Sequence, residues 1–287
     1  MRIFVTGGAG FIGSHLCKKL TASHKVTVYD NFSNSNKEHF PTMENVTLIV
    51  GDILDNSKLF DSMKNHDIVI HLAAKTDVID SITNPDDTFQ TNVQGTQNVI
   101  DSCNSNKISK IIATSSAAIY ENSDNSVNET STTKPLSPYG QSKLDMENIT
   151  IQSKINYSIL RLFNVYGNGQ TNGVIANFRK NISENILLTI FGDGNAIRDF
   201  IHIDDVIDGI ILSIKSKSGI YNIASGNGTS IGDLAKLLIR LSGKNSEIIY
   251  KSTRKGEIIY SVANITKSNN ELGFYPKISL GVGLKII

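Results

Sequence analysis

The chain has 287 residues, 39% hydrophobic and 19% charged, which is too apolar for a disordered chain and long enough for about two domains. Lys plus Arg number 28 against 27 Asp plus Glu, so the basic excess of a dedicated nucleic-acid binder is absent. No run of about 18 apolar residues offers a membrane partner, and glycines break the N-terminal apolar run before a leader core could form. Cys17 and Cys103 fall in predicted helices without metal-ligand spacing, which predicts no metal and a reducing, cytoplasmic compartment.

In chain order, short apolar runs at 3–6, 26–29, 46–50, 68–73, 111–114 and 159–162 alternate with helical segments at about 12–20, 57–64, 85–104 and 138–154. Apolar runs without polar alternation suit parallel strands buried on both faces. The rhythm predicts an α/β fold, a Rossmann-like doubly wound parallel sheet. The polar stretch 121–134 reads as a mobile surface loop. After Asn164 the pattern loosens. A helix at 173–185, strands at 187–191 and 200–203, a helix at 204–215, a strand at 221–224 and a helix at 230–241 suggest a smaller α+β unit. Ser230 as N-cap with Asp233 three residues on makes a capping box with Asp in place of Glu. The expected division is residues 1–164, with a return at about 200–223, as a dinucleotide domain, and about 165–199 with 224–287 as a substrate domain.

Thr6-Gly7-Gly8-Ala9-Gly10-Phe11-Ile12-Gly13 follows the first strand and opens the first helix. Glycines at this spacing allow a tight turn, close approach to a pyrophosphate and close helix–sheet packing, and the helix N-terminus faces the phosphates. Asp30 ends the second strand, 17 residues beyond Gly13. A carboxylate there accepts from a ribose hydroxyl and repels a 2′-phosphate, which favours NAD over NADP. Asp52, ending the third strand, is a weaker candidate for adenine contact.

Tyr139 and Lys143 stand at i and i+4 on one helix face. A free tyrosine is a poor base at neutral pH, and a neighbouring ammonium would lower its pKa. Such a pair can take a proton from a sugar hydroxyl as hydride leaves the same carbon.

These motifs, with His71-Leu72-Ala73-Ala74, Asn92-Val93-Gln94-Gly95-Thr96, Ser115-Ser116-Ala117-Ala118-Ile119-Tyr120, Arg161-Leu162-Phe163-Asn164 and Arg198-Asp199-Phe200-Ile201-His202, occur in order along nearly the whole chain. The sequence resembles the extended short-chain dehydrogenase/reductases, specifically the NAD-dependent sugar-nucleotide epimerase/dehydratase family. The resemblance implies a UDP-sugar substrate, a 4-epimerase reaction and a homodimer. It implies catalytic roles for Tyr139, Lys143 and Ser116, with Ser115 as substitute if the register slips by one. The implied cofactor set is Gly7, Gly10, Phe11, Ile12, Gly13, Asp30, Asn31, Asp52, Ile53, Leu72, Ala73, Ala74, Asn92 and Thr114, with Tyr139 and Lys143. Substrate contacts are implied for Ser115, Ser116, Tyr139, Asn164, Arg198, Arg254 and Ser261. Ser261 falls at a pocket gate; a one-residue slip would substitute Tyr260. The family's 4,6-dehydratases carry Asp-Glu where this chain has Ala117-Ala118, so dehydration is disfavoured. Val93, Val99, Ile100, Met146 and Ile149 offer either a dimer face or core.

Overall fold

The computed structural model describes residues 1–253 and 258–287. Strand β1 (Arg2–Thr6), helix α1 (Phe11–Leu20), β2 (Lys25–Asp30), β3 (Val46–Val50), α2 (Asn56–Met63) and β4 (Ile68–His71) come first. Then follow α3 (Val78–Thr83), α4 (Pro85–Phe89), a π-helical turn (Gln90–Gln94), α5 (Gly95–Ser105), β5 (Lys110–Ser116), α6 (Pro138–Gln152) and β6 (Asn156–Leu162). The rest comprises β7 (Asn164–Tyr166), α7 (Val174–Ser183), β8 (Leu188–Phe191), β9 (Ile197–His202), α8 (Ile203–Ser213) and β10 (Gly219–Ile223). It ends with β11 (Gly228–Ser230), α9 (Ile231–Ser242), β12 (Ile248–Lys251), β13 (Tyr260–Ser261) and α10 (Leu280–Ile286).

Seven strands form one sheet in the order β3-β2-β1-β4-β5-β6-β10, with parallel pairing from β3 through β5. This is the doubly wound Rossmann order with one strand added, and the order reverses between β1 and β4, where such sheets open a crevice at the carboxyl ends of their strands. Strand β4 is buried throughout and β1 and β2 beyond their first residue, as double-faced cover requires; β3, at the sheet edge, has no fully buried residue. Phe4, Val69 and Ile111 from the sheet pack against Leu59, Met63, Val99 and Ile100 from α2 and α5.

The described chain divides into two compact units. The first comprises Met1–Ile119, Thr133–Arg161 and Gly209–Tyr221; the second comprises Tyr120–Thr132, Leu162–Asp208 and Asn222–Ile287. In the second unit a four-stranded sheet is built on β9, which pairs with β7, β11 and β13, and β8 pairs with β12. Its apolar core joins Ile175 and Phe178 of α7, Leu188 and Ile190 of β8, and Leu234 and Leu238 of α9.

Four expectations change. The segment after Tyr120 is pinned, not a free surface loop: Val127 N–H donates to Val262 O at 2.9 Å, and the Asn222 N–H donates to Glu129 Oε1 at 2.7 Å. The single helix expected over 85–104 is interrupted by the π turn, which inserts extra backbone within the helix. The capping box at α9 is half made. Asp233 N–H donates to Ser230 Oγ, but the Asp, one methylene shorter than Glu, accepts from that hydroxyl at 2.8 Å. Finally Val99, Ile100 and Met146 belong to the core, at 0%, 2% and 2% exposure, so only Val93 and Ile149 keep partly exposed faces.

Candidate active site

The turn from β1 into α1 lies at the point where the strand order reverses. Gly7 adopts φ +70°, and a Cβ there would stand 2.6 Å from Ala73 N. At Gly13 a Cβ would stand 2.3 Å from Gly7 O, so helix α1 reaches the turn only without a side chain. Gly10, the α1 N-cap, differs: its nearest neighbour to an added Cβ is Gly7 O at 3.4 Å. The chain's own packing therefore tolerates more than hydrogen at Gly10, and the space beside it belongs to a cavity of about 320 Å³. Gly7, Gly10, Asp30, Asn31, Asp52, Ile53 and the 72–75 segment line that cavity. Phe11 and Ile12 occupy the first turn of α1 and are half-buried.

Asp30 is held rigidly at the end of β2. Its Oδ2 accepts from Ala9 N–H at 2.9 Å and its Oδ1 from Phe32 N–H at 2.8 Å, leaving lone pairs on both oxygens. Asp52 Oδ1 accepts from Leu54 N–H, and Oδ2 from Asn31 Nδ2 at 2.9 Å. The expected β4 run to residue 73 stops at His71, and Leu72, Ala73 and Ala74 leave the sheet to wall the cavity. A cavity flanked by a helix N-terminus and a clamped carboxylate with spare acceptors suits a dinucleotide's phosphates and ribose.

Behind this wall runs a buried polar chain. His71 lies between Thr6 Oγ1 at 2.7 Å and Thr96 Oγ1 at 2.9 Å. Burial, then the Lys143 charge, draws the His71 pKa down to about 3, so the ring is neutral. Asn92, within the π turn, donates to Lys75 O and Ser142 Oγ and accepts the Lys75 N–H. Thr114 Oγ1 donates to His71 O at 3.3 Å.

Helix α6 begins at Pro138, with Ser137 as N-cap accepting from Gly140 N–H. Tyr139 N–H donates to Ser81 Oγ of α3, which fixes the first turn. The buried positions of α6 are largely polar: Tyr139, Ser142, Lys143, Glu147 and Thr150. Buried polar groups are costly unless partnered, so these partners define the site. Ser116 Oγ accepts from Ala118 N–H at 3.1 Å and hydrogen-bonds the Tyr139 side chain. Ser115 is also buried, but its Oγ has no partner among the described residues. Lys143 Nζ donates to Thr114 O at 2.9 Å.

The expected lowering of Tyr139 by Lys143 does not emerge. Burial raises the phenol's pKa, and the Ser116 hydrogen bond opposes that rise. Burial also draws Lys143 down to about 8, against the pull of Glu147.

In the second unit Asn164, Arg198 and Ser261 converge on β9. Asn164 Nδ2 donates to Asp199 O at 3.1 Å. Arg198 is half-buried, and its register partners are Thr229 of β11 and Ser261 of β13. Asp199 ties the same segments together: it accepts from Ser225 N–H and Oγ, Gly226 N–H and Ala263 N–H. Arg254 lies outside the described residues.

Sequence reasoning gave no role to Glu147, Ser81 and Lys75, and quoted Arg161 only as part of a motif. Glu147 carried a readable signal, the same four-residue step from Lys143 that links Lys143 to Tyr139. Ser81 and Lys75 carried none, because their partners Tyr139 and Asp87 meet them only in the fold. Among the described residues no group of three or more His, Cys, Asp or Glu side chains could hold a metal, and no helix is long and apolar enough to cross a membrane.

Sheet order, glycine turn and buried tyrosine–lysine face together define a dinucleotide-dependent α/β enzyme of the extended short-chain type. Residues 3–224 match the NAD dependent epimerase/dehydratase family, and the chain belongs to it. A putative UDP-glucose 4-epimerase of Methanocaldococcus jannaschii is 37% identical, with 99% of this chain and 96% of that protein aligned. The crystal structure of UDP-glucuronic acid 4-epimerase from Bacillus cereus, in complex with UDP-glucuronic acid and NAD, superposes with a TM-score of 0.94 at 32% identity, covering 100% of this chain and 97% of that one. UDP-N-acetylglucosamine 4-epimerase from Methanobrevibacter ruminantium, in complex with UDP-N-acetylmuramic acid, gives 0.92 at 32% identity, covering 99% and 96%.

Proposed function

We propose that this protein is an NAD-dependent 4-epimerase of a UDP-hexose, with the first unit as dinucleotide domain and the second as substrate domain. The observation that carries the reading is the Tyr139–Ser116 hydrogen bond with Lys143 one helical turn along. Bound NAD would supply the hydride acceptor and donor for C4 of the sugar. The glycine turn and the α1 N-terminus hold the pyrophosphate, Asp30 and Asn31 the adenosine ribose, and Asp52, Ile53 and the 72–74 backbone the adenine side of the cofactor. Asn92, Thr114 and Lys143 border the nicotinamide side.

Tyr139 Oη takes the proton of the 4-hydroxyl; once the 4-keto sugar has turned its other face to the hydride donor, Tyr139 returns the proton to its O4. Ser116 Oγ accepts the Ala118 N–H, so its own proton is free to point at Tyr139 Oη and stabilise the phenolate. Burial keeps the Tyr139 pKa raised with Lys143 in place, so a bound oxidised nicotinamide would supply the further positive charge that brings the phenol into working range. Asn164 and Arg198 hold the nucleotide's diphosphate, the guanidinium matching phosphate geometry.

Galactose-type and glucose-type UDP-hexoses are the lead substrates, in a cytoplasmic homodimer. UDP-uronates are the second reading, favoured by the likeness to the UDP-glucuronic acid 4-epimerase. Ser261 is small and half-buried across from Arg198, which suits an acetamido group at C2. Incubation with UDP-galactose and no added cofactor should yield UDP-glucose catalytically; a requirement for stoichiometric NAD would instead identify a dehydrogenase. A panel adding UDP-N-acetylgalactosamine and UDP-uronates assigns the sugar. Ser261→Tyr should abolish N-acetylhexosamine turnover and spare the hexose.

A further inference from the structure

Helix α6 buries an ion pair that the acid/base scheme leaves unused. Tyr139, Lys143 and Glu147 follow one another at four-residue steps on one helix face, with 8%, 3% and 1% exposure. From β6, Arg161 donates to Glu147 twice, Nε to Oε1 at 3.0 Å and Nη2 to Oε2 at 2.8 Å. Such a pair loses its hydration on both sides, and a well-packed apolar pair is often as stable, so stability alone gives no reason for it. Lys143, one turn away, has the Thr114 carbonyl at 2.9 Å and the Met146 thioether at 3.8 Å. Neither contact carries a charge to balance a buried ammonium.

We propose that Glu147, clamped by Arg161, is a positioning residue whose negative charge keeps Lys143 in its ammonium form beside Tyr139. The inference rests on the acid/base pair proposed above. The two-pronged contact holds the carboxylate toward β6, so it does not draw Lys143 off the Thr114 carbonyl. Burial pulls the Lys143 pKa down to about 8, and Glu147 is the charge that opposes this. The other ionisable groups on elements packed around α6 do not replace it. His71 of β4 is neutral, Lys110 of β5 is bound to Ser213 and Ser216 carbonyls, and Cys103 of α5 is apolar core. Asp86 and Asp87 of α4 and Asp101 of α5 are exposed, with Asp87 paired to Lys75, and Asp80 of α3 is half-buried and accepts from Asn84 Nδ2 at 2.8 Å.

The test is a titration of the purified holoenzyme carrying [13Cε]lysine, with the Lys143 signal assigned by its loss in Lys143→Arg, alongside the pH profile of kcat. Removing the carboxylate's charge destabilises the ammonium, so Glu147→Gln should lower the Lys143 midpoint and the alkaline limb of kcat by about one pH unit or more. Glu147→Gln/Arg161→Gln leaves no unpaired guanidinium; it should fold and shift in the same direction by less. Glu147→Asp, which keeps the charge, should stay near the wild type. A folded Gln variant, single or double, that melts earlier but titrates like the wild type would reduce the pair to a structural brace and overturn the proposal. The NMR midpoint is read without turnover, so a protein inactive on every sugar nucleotide would sink the epimerase reading while the titration still decides this one.

Discussion

The glycine turn after β1 and the sheet around β9 both gather polar groups, but over very different distances along the chain. In the turn, Gly7, Gly10 and Gly13 lie within seven residues, and only Asp30 and the 72–74 segment come from afar. Around β9, Asp199 collects donors from Ser225, Gly226 and Ala263, the last 64 residues away. A local motif turns spacing directly into geometry. A long-range hub depends on strand register, so one misplaced pairing would move Arg198 and Ser261 together.

The two regions should therefore fail differently. The largest effect is expected at neither: Tyr139→Phe removes only the hydroxyl and should cut turnover about 10² to 10⁴-fold with the circular dichroism spectrum unchanged. Near-normal turnover would refute the acid/base assignment. Next is Asp199→Asn, which replaces a carboxylate accepting on both oxygens with a group that accepts on one. It should destabilise by about 3 kcal/mol in urea titration and raise KM, with bound NAD(H) content retained in the folded fraction. If NAD(H) is lost first, the regions are coupled more tightly than their separate assembly suggests.

Gly13→Ala should cost about 1–3 kcal/mol, because the added methyl meets backbone that cannot swing aside. Protein released from the column should carry much less NAD(H), whereas Gly10→Ala, with only one neighbour at 3.4 Å, should fold normally and lose cofactor through blocked phosphate approach. Equal stability of the two variants would break the contrast.

The last effect is graded by pH. The His71 pKa is depressed in the folded state from 6.5 to about 3, so its stabilising contribution is complete above pH 6.5 and is lost as pH falls toward 3. Across that window the loss approaches about 1.4 kcal/mol per pH unit. Urea midpoints at pH 7, 6 and 5 should fall more steeply for the wild type than for His71→Gln. Parallel curves would mean that the His71 pKa is the same in the folded and unfolded chain.

Much of this molecule was legible before folding. The six apolar runs became β1 to β6 within a few residues at each end, because a strand covered on both faces must be apolar throughout. The cradle was legible because a turn and the helix it opens are contiguous, and Tyr139 with Lys143 because helix pitch alone aligns them. The π turn was not, since its extra backbone leaves the hydrophobic period almost unchanged.

Composition and spacing by themselves determined the doubly wound class, the glycine turn, the acid that ends β2 and the tyrosine–lysine face. These depend on pitch, pleat and glycine sterics, which act within one element or across one turn. Tertiary structure alone decided three things: the clamp of Arg161 on Glu147, the pinning of Val127 and Glu129 against Val262 and Asn222, and the collection of Asn164, Arg198 and Ser261 around β9. It also decided that burial outweighs the Ser116 hydrogen bond at Tyr139. Each of these turns on which distant groups share a dry interior, and desolvation is a property of the packed surroundings that no local spacing records.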